Sequence, residues 1–149
     1  LTFTTLCIEA MPLVRFKTGD IVQLHDSPCA CGRNTLRVGP VIGRKQQMIK
    51  YKGTTLYPPA MNDVLNDFDN IENHIIEIYT NDLGTDEIVI KLAVKKESET
   101  FLNEIKDHFR AKLRVTPKII FTTTAILNQL IFNPMSRKPI HFFDHRKSN

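Results

Sequence analysis

The chain has 149 residues, 42% of them hydrophobic and 24% charged. That is the size of one ordinary domain, or of a domain with an extra piece, and the composition of a soluble globular protein. The net charge of +4, from 20 basic and 16 acidic side chains, is too mild for a nucleic-acid footprint and suits an anionic ligand. Basic residues are spread along the chain, with one denser stretch at Arg137, Lys138, Arg146 and Lys147. No apolar run approaches the length of a membrane span. The opening Leu1–Leu6 alternates like a strand and lacks a basic start, so no secretory signal is expected. It also starts with Leu rather than Met, so an upstream portion is expected. Cys7, Cys29 and Cys31 cannot all pair with one another, and reduced thiols or a metal site point to a cytoplasmic location.

Two regions are expected, residues 1–42 and 43–149, with a joint near Gly43. The first is a string of short strands. Leu13–Lys17 and Ile21–His25 flank Thr18-Gly19-Asp20, which is turn chemistry. A tight loop at Ser27–Gly32 precedes a strand at Arg37–Ile42. Apolar residues are too few here for a core, so this region reads as the edge of a larger body. In the second region, Gln47–Lys52 is a short strand. Pro58 and Pro59 suit the first turn of a helix to about Phe68, with Met61, Val64, Leu65 and Phe68 on one face. Asn73–Thr80 and Glu87–Val94 alternate around an Asn81–Gly84 turn and form a hairpin. Ser98 caps a helix over Glu99–Leu113, whose Phe101, Leu102, Ile105, Phe109 and Leu113 share a face. Lys118–Thr122 follows as a strand. The order β-α-β-β-α-β gives an α+β fold class with ferredoxin-like order, which alone names no function.

Three segments carry candidate chemistry. Met11–Asp20 is a strand and turn that presents Asp20, whose carboxylate can accept hydrogen bonds from paired hydroxyls such as those of a ribose, or merely from the turn backbone. Gly43–Gly53 places Arg44 where it can bind a phosphate or ribose, with Gly43 supplying backbone freedom, or forms a basic surface hairpin. Ser136–Arg146 fixes Lys138 before a proline, where an ammonium can neutralise charge developing between a carboxylate and an α-phosphate, or forms a basic tail.

Taken together and in this order, Thr4-Thr5-Leu6, Glu9–Asp20, Pro28-Cys29-Ala30-Cys31-Gly32-Arg33, Gly43–Pro58 and Ser136–Arg146 resemble the closing motifs of adenylate-forming enzymes. The match is to the phenylacetate–CoA ligase type of the acyl-CoA synthetase superfamily, and it covers essentially the whole chain. The resemblance implies an AMP-forming acid–CoA ligase that uses ATP with Mg2+ and CoA on an aryl or other carboxylic acid. It implies that residues 1–42 end the large N-terminal body and that residues 43–149 form a mobile C-terminal domain. Asp20 would bind the ribose hydroxyls and Arg44 the nucleotide. Lys138 would be catalytic in adenylation, and Gly53 would approach the CoA thiol channel. The hinge position, usually Asp or Lys, is Gln46. Asn62 stands where the family usually has a glutamate.

Cys29 and Cys31 read as half of a structural zinc site or as two reduced cysteines, since zinc takes four ligands. His74, His108, His141 and His145 read as surface or packing residues without partners. No phosphate loop and no acyl pocket is present, so the partner expected for this chain is an N-terminal domain of the same enzyme, and the 149 residues alone are expected to be inactive. Exposed strands can also pair two copies into a homodimer. Neither nucleic acid nor membrane is an expected partner. The other reading carried forward is a free-standing ferredoxin-like module that binds a small regulatory ligand. A small zinc-dependent nucleic-acid binder is disfavoured by the lack of clustered basic and aromatic residues.

Overall fold

The computed structural model describes residues 1–132 and 138–146. Ser136, Arg137 and Lys147 lie outside the described residues; Lys138 and Arg146 lie within them. The chain forms two compact units, Leu1–Met48 and Ile49–Asn149. The expected joint at residues 42 and 43 falls inside the first unit, because Gly43 and Arg44 are still paired across a hairpin with Ile21 and Asp20.

In the first unit, β1 (Thr2–Phe3) pairs antiparallel with β2 (Phe16–Lys17). The strand expected over Leu13–Lys17 is thus only two residues long. Arg15 adopts φ 50, a left-handed conformation that breaks an extended run. Upstream of it the backbone is held by Thr5, whose N–H donates to the Leu13 carbonyl at 2.9 Å and whose Oγ1 accepts from the Leu13 N–H at 2.9 Å. A longer hairpin follows, β3 (Asp20–His25) against β4 (Arg37–Arg44), with register shifts on either side of Val22. No hydrophobic side chain of this unit is buried, and Leu6, Met11, Val14, Leu24 and Leu36 are all exposed. Two-stranded ribbons of this kind are marginal on their own.

The second unit has a true core. A two-residue turn joins β5 (Ile49–Tyr51) to β6 (Thr54–Leu56), and α1 (Pro58–Asn66) begins on the expected prolines. Next come β7 (Ile71–Thr80), β8 (Asp86–Val94), α2 (Glu99–Leu113), β9 (Lys118–Phe121), α3 (Thr124–Ile131) and β10 (Phe142–Asp144). The four-stranded sheet runs β10-β7-β8-β9. The β7–β8 pair is antiparallel; β8–β9 and β10–β7 are parallel. The fold class is α+β and the elements follow the expected order. The sheet is assembled differently from a ferredoxin-like one, however. The strand expected first in it pairs with β6 in a hairpin of its own, and β10 takes the sheet edge instead.

Strand alternation divides the sheet residues between two faces. Ile76, Ile78, Ile88, Ile90 and Leu92 pack with Met61, Val64 and Leu65 of α1 and with Ile105 and Phe109 of α2. Ile75 and Ala93 point to the opposite face and pack with Leu127 and Ile131 of α3. Both longer helices bury the face their spacing predicts. Ser98 caps α2 as expected, its Oγ accepting from the Phe101 N–H at 3.1 Å. Its far end closes on Arg114, at φ 59. Helix α3 was not expected. It is short, rich in apolar residues at most positions, and capped by the Thr123 hydroxyl, which accepts from the Ile126 N–H.

Candidate functional site

Asp20 opens β3 and Arg44 closes β4, and the register makes them direct partners. Their side chains meet at 3.5 Å between Nε and Oδ1. The turn before Asp20 is held by Gly19 at φ +78 and by the Thr18 Oγ1, which accepts from the Asp20 N–H at 3.0 Å. The Thr18 hydroxyl thus occupies the local backbone donor, leaving the carboxylate for a partner across the hairpin. Arg44 is 68% exposed at its side chain, so this pair adds about 0–1 kcal/mol to stability at most. What it supplies is an acceptor and a cationic fork side by side. Gln46 follows on an exposed helical turn of Lys45–Gln47, whose first N–H donates to the Gly19 carbonyl at 2.9 Å.

Gly53 and Lys138 belong to the second unit. Gly53 sits with Lys52 in the turn between β5 and β6, where Lys52 has φ 46 and Gly53 φ 82. Positive φ at both central residues is the signature of a type I′ turn, whose twist matches that of a β-hairpin. The hairpin is tied to the rest of the unit at two points. The Tyr51 hydroxyl donates to the Thr116 carbonyl at 3.1 Å, and the Lys50 N–H donates to Asp86 Oδ2 at 2.7 Å. Lys138 is exposed and precedes β10. That segment is anchored by the Ile140 N–H, which donates to the Ile131 carbonyl at 3.0 Å, and by the His141 carbonyl, which accepts from the Ile76 N–H at 2.8 Å.

Beyond β10, Arg146 turns back on two carboxylates. Its Nη2 and Nε donate to Asp144 at 2.6 and 2.8 Å, and its Nη1 donates to Asp86 Oδ2 at 3.0 Å. Hydrogen bonding from Arg146 holds the Asp144 carboxyl below its ordinary range, and Asp144 in turn raises Arg146. The sequence offered no signal for Asp86, which is 60 residues from Arg146 along the chain.

The four histidines expected without partners have them, at distances in sequence that no local pattern reveals. His108 meets Asp67 at 2.9 Å. His145 stacks on Tyr79 at 4.7 Å and lies 3.7 Å from Glu77, a buried carboxylate that Lys91 pairs at 3.0 Å. His141 Nδ1 donates to the His74 carbonyl at 3.0 Å, and His74 Nε2 donates to Asn62 Oδ1 at 3.0 Å. Burial, helped by the neighbouring His141, pushes His74 down to about 4 from 6.5. The unfolded chain therefore takes up a proton here below about pH 6.5 while the folded chain does not, and stability falls as pH drops towards 4. Denaturant titrations at pH 7 and pH 5 are expected to show a loss of about 2 kcal/mol from this group, absent from a His74→Gln variant. An equal loss in the variant would contradict it.

The Cys29 and Cys31 sulfurs lie 3.3 Å apart on one tight turn. The Gly32 N–H closes that turn, donating to the Cys29 carbonyl at 2.9 Å. Hydrogen bonding from the Arg33 backbone and then from Cys29 lowers the Cys31 thiol. At this distance the pair is a thiol hydrogen bond between two free cysteines. Among the described residues, no group of three or more His, Cys, Asp or Glu side chains is gathered to hold a metal. No helix of the described residues is long and apolar enough to cross a membrane.

No protein-family model matches the chain. The phenylacetate-coenzyme A ligase of Thermus thermophilus is 38% identical over 105 residues, covering 70% of this chain and 23% of that protein. The Escherichia coli protein of the same name is 28% identical over 105 residues, with the same coverage of 70% and 23%. The chain thus spans about a quarter of the length of the curated relatives it matches. Among solved structures, a 2-hydroxyisobutyryl-CoA ligase in the postadenylation state superposes with a TM-score of 0.67 at 22% identity, over 89% of this chain and 29% of that one. A domain of phenylacetate-coenzyme A ligase from Bacteroides vulgatus gives 0.54 at 18% identity, over 68% of this chain and 95% of that domain. At these identities the structures speak for the fold, and the sequence matches speak for descent. The chain is thus similar in sequence to about a quarter of the length of phenylacetate-coenzyme A ligases, and it shares its fold with CoA ligases of known structure.

Proposed function

We propose that this chain works as the C-terminal part of an AMP-forming acid–CoA ligase, which joins a carboxylic acid to AMP and then passes the acyl group to CoA. The observation that carries the reading is the pairing of Asp20 with Arg44, two residues chosen from separate motifs that the hairpin register sets side by side. In this role Asp20 accepts from both ribose hydroxyls, and Arg44 gives up its weak ion pair to contact the nucleotide. Lys138 stabilises the charge that develops between the attacking carboxylate and the α-phosphate of ATP, which is taken with Mg2+. Gly53 lies where the CoA thiol approaches in the second half-reaction. Relatives of known structure support this sequence of events: one ligase of the same fold has been solved with an acyl-adenylate, and again with an adenylate and CoA in the thioesterification state.

The remaining catalytic parts, an ATP phosphate loop and an acyl pocket, belong in this reading to a large N-terminal body. The uncovered apolar side chains of the first unit support the existence of such a body, because a ribbon that leaves Leu6 82% exposed gains little by folding alone. The first unit, Leu1–Met48, then ends that body, the second unit is the mobile C-terminal domain, and Gln46 lies at the hinge. An aryl acid is the substrate class that the relatives' name suggests, and the cytoplasm is the fitting location. A free-standing sensor would instead have to bind its ligand on unit surfaces that leave these apolar residues in water.

Joining the chain to the large body of the Thermus thermophilus relative tests the proposal. The assembled protein is expected to release pyrophosphate in the presence of an acid and to form a CoA thioester, whereas the 149 residues alone do neither. No acid-dependent pyrophosphate from a folded assembly would refute it.

A further inference from the structure

Asp86 is the residue on which two separate functional segments of the second unit converge. Its Oδ2 accepts from the Lys50 N–H at 2.7 Å and from Arg146 Nη1 at 3.0 Å. Lys50 lies in β5, the strand that leads directly into the Lys52-Gly53 turn. Arg146 lies just past β10, and its guanidinium is fixed on its other edge by Asp144 at 2.6 and 2.8 Å. That places it at the end of the segment that begins with Lys138. The Asp86 side chain is 14% exposed and that of Arg146 19%. An ion pair so shielded, and sharing its acceptor oxygen with a backbone donor, has a defined geometry that an exposed surface pair lacks.

We infer that Asp86 is a positioning residue for the thioester-forming half-reaction: with Arg146 it locks the β5–β6 hairpin to the C-terminal strand, and so fixes the backbone at Gly53 against which CoA enters. This rests on the ligase reading above. The hairpin has few other anchors. The Tyr51 hydroxyl holds one side through Thr116, and Ile49 and Leu56 are buried in the core. Losing the Asp86 contact frees the hairpin's turn without unfolding the sheet. The Lys138 segment keeps its own anchors on Ile131 and on β7, so adenylation is insulated from the change.

The test uses Asp86→Ala and Asp86→Asn in the assembled ligase. An asparagine oxygen can still accept from Lys50 N–H and from Arg146, so it preserves the geometry without the charge. Asp86→Ala is expected to speed hydrogen exchange of the β5–β6 amides at least tenfold. Thioester formation from a preformed acyl-adenylate should slow about tenfold, acid-dependent pyrophosphate release should stay within twofold, and Asp86→Asn should restore most of the loss. An unchanged thioester step in Asp86→Ala would overturn the inference. So would an equal fall in both half-reactions that Asn does not rescue, which marks a general structural defect. A wild-type assembly that releases no pyrophosphate would sink the ligase reading and the positioning role together, whereas a working wild type with a fully working Asp86→Ala variant sinks the positioning role alone.

Discussion

Replacing Lys138 by alanine in the assembled ligase is expected to cut acid-dependent pyrophosphate release by two to three orders of magnitude, about the cost of removing one preorganised group that faces charge developing in a transition state. The argument is electrostatic. When a carboxylate attacks an α-phosphate, negative charge shifts onto the bridging and non-bridging oxygens, and an ammonium set among them lowers the barrier without any proton transfer. Lys138 is suited to this by its placement. It is exposed, so it can enter a site formed by another body, and the backbone on its C-terminal side is fixed by Ile140, His141 and β10. The fixed backbone limits the entropy lost when the side chain is ordered. Lys138 lies outside both core clusters, so the variant keeps the hydrophobic core intact. Thioester formation from a preformed adenylate does not need this cation and should survive. Lys138→Arg should recover little, because a planar fork does not replace a compact point charge. Normal adenylation in Lys138→Ala would remove the residue from the mechanism.

How much of this was legible in the sequence depends on the range of each interaction. The Ser98 cap and the buried stripe of α2 were readable because a cap and the N–H it accepts from lie three residues apart and a helix face repeats every three or four. The β7–β8 hairpin was readable for the same reason, its turn being stitched by Asn81 to Leu83 and Thr85. The sheet edges were not readable. Nothing near Gln47–Lys52 shows that this strand will pair with Thr54–Leu56 and leave its expected place to β10. Asp20 and Arg44 were each found, but their partnership depends on register shifts around Val22 that hydrophobic alternation does not reveal. Histidine partners were missed outright, because His108 reaches back to Asp67 and His145 to Glu77. Asp86 was invisible for a further reason: in a hairpin turn region an aspartate ordinarily serves its own backbone, and this one serves two segments far away in the chain.

Gly53→Leu is the second large effect, and it separates folding from catalysis. Gly53 has φ +82, and a Cβ built there meets nothing within 4 Å. A side chain at this position therefore meets the backbone penalty of a left-handed conformation, about 1–2 kcal/mol, with open space at its Cβ. Lys52 beside it already tolerates φ 46, so the turn type survives a side chain at a central position. The assembled ligase should thus fold with a modestly lower melting temperature. Adenylation, the step proposed for Lys138, should stay within a few-fold of the parent. Thioester formation should fall by two orders of magnitude or more, because the leucine fills the open space into which the proposed thiol path leads, and a misplacement of about 1 Å already costs on the order of a hundredfold. A Gly53→Asn variant relieves most of the backbone penalty, since asparagine accepts left-handed φ, while still adding bulk. If the stability of Gly53→Asn recovers and its thioester rate does not, the defect lies in access rather than in folding. If the two recover together, Gly53 is a turn residue and nothing more.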